Sequence, residues 1–75
     1  MKFEVGHFYM HDKGRQVAIL DECNTYAWGK CYVVEEADKT GHSISIMDKN
    51  QCDEIANWVE ISRNEWLRNL QRHDN

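Results

Sequence analysis

The sequence has no proline, four glycines and three cysteines, and no apolar run near the ~20 residues that span a bilayer. Without proline, repeats or a low-complexity stretch there is no linker, so residues 1–75 read as one domain. The cysteine count (Cys23, Cys31, Cys52) is odd, and no C-x-x-C spacing exists from which a zinc site is usually built. The start, Met1 to Gly6, lacks the apolar core of a signal peptide. A reducing cytoplasm is therefore expected, with the thiols serving as small apolar groups.

An excess of positive charge is also missing. Nine Lys and Arg against thirteen Asp and Glu give a net charge of -4. Nucleic-acid binding draws most of its affinity from a basic stripe, so DNA and RNA are not expected partners, and neither is a membrane. A few cations in a cleft can still hold a small anion.

Nothing in the chain has catalytic spacing. His7 and His11 on a strand share a face but stand ~13 Å apart, too far for one ion. Adjacent carboxylates such as Glu35 and Glu36 point to opposite faces of a strand. The cysteines lie in or near apolar strands or, at Cys52, beside Asp53 and Glu54, where a thiolate is disfavoured. No enzyme, metal or cofactor is expected.

What is present is a β pattern. Gln16 to Cys23 and Ala27 to Glu36 are rich in β-branched and aromatic residues, with Asn24-Thr25-Tyr26 as the link of a long hairpin. Lys2 to His11 reads as a strand broken or bulged at Gly6, and Asp12 to Arg15 as a turn. His42 to Asp48 alternates with Ile44 and Ile46 inward, and Asn57 to Ile61 is a last strand. Ser62-Arg63-Asn64-Glu65 fits a capping box, with Ile61 and Trp66 as its staple and Trp66, Leu67 and Leu70 on one helical face. The expected fold is mainly β: a small five-stranded SH3-like bent sheet or partly open barrel, with strands 2–11, 16–23, 27–36, 42–48 and 57–61. A helix over 63–72 closes the chain. A flat open sheet crossed by the helix is the rival.

Three tryptophans, three tyrosines and two phenylalanines are generous for so small a core. Tyr9, His11, Lys13 and Arg15 lie on or beside the first turn, and Thr25, Tyr26 and Trp28 at the second. Rings stack on bases at ~1–3 kcal/mol each, and arginine grips phosphate in a forked geometry. The competing reading makes Tyr9, Trp28 and Trp58 core residues and the cations ordinary turn charges. Composition alone favours that second reading.

Met1-Lys-Phe-Glu-Val-Gly6 with Tyr9, His11 and Gly14, then Val17 to Leu20, Trp28-Gly29-Lys30, Val33-Val34-Glu35 and Asn57-Trp58-Val59-Glu60-Ile61-Ser62 with Glu65-Trp66, resemble short β proteins encoded by phages and prophages. Among such proteins are anti-defence sponges that sequester cyclic nucleotide alarm signals. The resemblance implies stoichiometric capture of a cyclic dinucleotide-type ligand. A homo-oligomer in the host cytoplasm is expected beside it, because a chain this short buries little surface alone and a partner subunit adds more. It implies contacts at Tyr9, His11 and Gly14, from Thr25 to Trp28, and at Asn57 and Trp58. Asp12-Lys13 stands where small hydroxyl residues would be expected. The alternative is an SH3-like interaction module that docks a host protein through Trp28, Trp58 or the acidic face.

Overall fold

A computed structural model of the chain describes residues 3–11, 14–38, 41–49 and 57–73. Five antiparallel strands form one open sheet: β1 (Phe8–His11), β2 (Gln16–Thr25), β3 (Gly29–Asp38), β4 (Gly41–Asp48) and β5 (Trp58–Ile61). A C-terminal helix, α1 (Arg63–His73), follows. The strands lie in the order β4-β3-β2-β1-β5, and the two outer strands are not paired with each other.

The β2–β3 hairpin organises the sheet. Its register runs from Gln16↔Ala37 to Thr25↔Gly29, with Leu20 as an extra residue between Ile19↔Val34 and Asp21↔Val33. A bulge of this kind bends the strand and exchanges the faces of the residues beyond it. Val17 and Ile19 share a face with Tyr32 and Val34, whereas past the bulge it is Glu22 that opposes Tyr32.

The sheet has a core on each side. On one face Phe3, Tyr9, Val17, Ile19, Tyr32, Val34 and Trp58 are buried, with Met47 packed against them. Phe3 is the hub: its ring lies 4.4 Å from Tyr9, 5.7 Å from Tyr32 and 5.4 Å from Trp58. Tyr32 donates its hydroxyl to the Phe3 carbonyl at 3.0 Å, and the Glu4 amide donates to the Tyr9 hydroxyl at 3.0 Å. Two core phenols thus tie down the segment ahead of β1. On the other face α1 covers Ala18 and Ala37 with Trp66, while Phe8, Ile61 and Leu70 pack at the margin.

Helix docking is fixed by one buried polar residue. Gln16 donates to the Trp66 carbonyl at 3.3 Å and accepts from the Asn69 amide at 2.8 Å. Each buried polar end therefore has a partner, as burial demands. The cap is formed as expected, with the Glu65 amide donating to Ser62 Oγ at 3.1 Å.

Several local expectations are corrected. Phe3 to Val5 is not strand; a turn with Gly6 at φ 87° precedes β1, and the Gly6 amide donates to the Ile19 carbonyl at 2.8 Å. The hairpin link is Tyr26 to Trp28, so Trp28 belongs to the turn. In β4 the alternation holds but the inward face is the other one: register pairs Ser45 with Val34 and Met47 with Tyr32, which leaves Ile44 and Ile46 exposed. Leu67 is also exposed, because the helix meets the sheet through Trp66 and Leu70. Lys2, Asp12, Lys13, Cys52, Asp53 and Glu54 lie outside the described residues. No helix among the described residues is long and apolar enough to cross a membrane.

Candidate functional site

Sequence builds the tip of the β2–β3 hairpin from a threonine and a glycine. Thr25 Oγ1 accepts from the Trp28 amide at 3.0 Å and donates to the Gly29 carbonyl at 3.1 Å. Gly29 leaves the turn at φ 73°, a conformation that a side chain would strain. Inside this closed loop stand Tyr26 and Trp28, with relative exposures of 111% and 63%. The strand behind them divides at the bulge: Gln16 to Ile19 are buried, and Leu20 to Thr25 are exposed or half-buried. Two large rings therefore project on a braced arm.

The other residues expected in a ligand site are elsewhere. Tyr9 and Trp58 are 2% and 1% exposed, so neither ring has a face for a guest to stack on. Burial pushes the Tyr9 phenol above its usual range. His11 packs its ring against Trp58 at 5.1 Å, and Arg15 lies over the same indole at 5.7 Å. Arg15 is also ion-paired with Glu36, whose second oxygen accepts from Ser45 Oγ at 2.8 Å. Its charge is thereby neutralised within the fold. Trp58 Nε1 is buried without a hydrogen-bond partner among the described residues. Asn57 is exposed just ahead of β5. Lys13 lies outside the described residues.

Ten positions along β2 separate Arg15 from Thr25, roughly 30 Å of strand. A guest stacked on Trp28 is beyond the reach of Arg15. The expected site thus resolves into two places, the arm tip and the ion-paired margin of the core.

One shallow cleft of about 200 Å³ flanks the arm, lined by Glu22, Cys23, Asn24, Lys30 and Lys49. Lys49 binds Glu22 at 3.0 Å and stands over the Tyr32 ring at 4.9 Å. Lys30, exposed and opposite Asn24, is the cation nearest the tip in sequence. Sequence reasoning places Asn24 beside the second turn but misses Glu22, Lys30 and Lys49, because these meet only through register: Glu22 faces Tyr32, and Tyr32 faces Met47, two positions before Lys49. No group of three or more potential metal ligands gathers among the described residues.

A second polar cluster sits at the opposite end. His7 Nδ1 lies 2.9 Å from Glu60 and Nε2 lies 3.2 Å from Glu4. The hydrogen bond to Glu60, with the charge of both carboxylates, raises the His7 pKa against a smaller desolvation effect.

Comparisons with protein-family models, with curated proteins and with solved structures find no significant match. The resemblance to small phage β proteins therefore rests on the residues quoted for it.

Proposed function

We propose that this chain is a non-catalytic binding module that docks a protein partner through the tip of the β2–β3 arm. One observation carries the reading: Tyr26 and Trp28 are exposed on a hydrogen-bonded turn, while the remaining rings pack in or against the two cores. Tyrosine and tryptophan presented together offer large contact area with little rotamer entropy to lose, the usual character of interface anchors. Behind the tip Asp21 is exposed, Glu22 is paired with Lys49, and Lys30 is exposed beside the turn, so the matching surface is an apolar pocket with a rim of mixed charge. Such a module suits a phage-encoded inhibitor acting on a host protein. A reducing cytoplasm suits Cys23 and Cys31, which are free thiols directly opposite each other across β2–β3.

Capture of a small cyclic nucleotide is the second reading. It draws support from the same rings, which have open faces, and from Lys30 on the strand leaving the turn. Arg15 has no part in it.

The test compares the unsubstituted protein with the Tyr26→Ala/Trp28→Ala double variant. Immobilised in bacterial lysate, the former should retain one protein in stoichiometric amount and the latter should lose it, with unchanged melting. Retention by both would reject the tip as the docking surface. A panel of cyclic di- and trinucleotides is run alongside in a thermal-shift assay. A melting-point increase that disappears in the double variant would select nucleotide capture instead.

A further inference from the structure

β4 is the outer strand on one side of the sheet, paired with β3 over eight residues with no shift of register. Among the described residues nothing pairs with its other edge. Sheet edges are ordinarily guarded by charge, proline, a bulge or sheer shortness. The opposite edge, β5, is only four residues long and carries Glu60. Ser43 to Ile46, the middle of β4, has none of these protections. Alternation places His42, Ile44, Ile46 and Asp48 on one face, and Ile44 and Ile46 are 68% and 49% exposed.

We propose that a second copy of this chain pairs with this edge, antiparallel, about a two-fold axis through Ser45. In such a pair the position of the axis dictates every opposed residue. An axis at Ser45 sets Ile44 against the partner subunit's Ile46, and Ile46 against the partner subunit's Ile44. The same axis sets His42 against the partner subunit's Asp48, twice. Moving the axis to Ile44 places Ile46 against a histidine, and moving it to Ile46 places Ile44 against a carboxylate. Only the Ser45 axis makes the apolar and the polar pairs match together. Asp48 also interacts within its own chain, and a carboxylate has acceptor sites enough for both contacts. The product is a continuous ten-stranded sheet with both arms free.

The interface is one strand wide, so half-dimerisation is expected on the order of 10–100 µM. Sedimentation velocity over a concentration series should show the mass doubling and then levelling. Ile44→Lys should weaken the dimer at least tenfold while leaving monomer melting unchanged, since this side chain is already exposed. Register is tested by Ser45→Cys and Ser43→Cys, each treated with oxidised glutathione. A cysteine at 45 faces its own copy within disulfide reach and should give a dimer linked through position 45, two reduced glutathiones leaving per bond. Ser43→Cys should not link. A protein that stays monomeric throughout, a cross-link that runs through 43 instead, or growth beyond two subunits would each overturn the proposal.

Discussion

At the scale of single residues, the aromatic side chains show what composition conceals. Rings are as suited to a small core as to a binding face, and a one-dimensional sequence does not separate the two uses. Tyr9, Tyr32 and Trp58 were drawn inward by Phe3, whose place in the core depends on a turn at Gly6. His7 sets a different kind of expectation. Glu60 and Glu4 raise its pKa above 6.5, its ordinary value, so the folded state holds the proton more tightly than the unfolded chain. The stability contributed by this contact is full below about pH 6.5 and is lost as pH rises through the elevated folded value. His7 is half-buried and both carboxylates are exposed, so salt weakens the effect. Melting curves of the protein and of His7→Gln should accordingly differ most below about pH 6.5 and draw together as pH rises through the elevated folded value. A gap that widens toward alkaline pH would contradict the assignment.

At the scale of elements, α1 was the most legible piece because its signals are local. The capping serine, the glutamate three positions on, the staple residue Ile61 and Trp66 are read within a few positions. Ser62→Ala should cost about 1 kcal/mol in chemical denaturation through loss of the cap. Trp66→Ala should cost about 3–5 kcal/mol, because it leaves a cavity over Ala18 and Ala37 where the indole is buried. Similar losses for the two variants would mean that the helix is only loosely docked. β4 shows the limit of local reading. A period of two identifies a strand, but which face turns inward depends on register with β3, a contact between residues far apart in sequence. The hairpin link is hard to place from sequence for a related reason. Polar Asn24 looks like turn and aromatic Trp28 looks like strand, whereas the Thr25 hydroxyl and the positive φ of Gly29 decide the geometry. The arm site was thus half legible: its residues could be named, but not their separation from Arg15 and Trp58.

At the scale of the whole molecule, a domain of this size holds a total stability of roughly 4–11 kcal/mol. The principal extents of 39 × 21 × 20 Å match one ten-residue hairpin laid along the long axis. Stability is concentrated toward the base, where both cores and the helix lie, and the tip of the arm adds little apolar burial of its own. Fold and contact surface are therefore separable. Replacing Asn24 to Lys30 by Asn-Gly would close Cys23 and Cys31 with a two-residue turn whose twist suits paired strands. The shortened protein should melt cooperatively, within a few degrees of the original, because no member of either core cluster is removed. It should also lose whatever partner the tip retains. Cooperative melting with partner retention would move the contact surface to the base, and loss of cooperative melting would show that the arm braces the sheet.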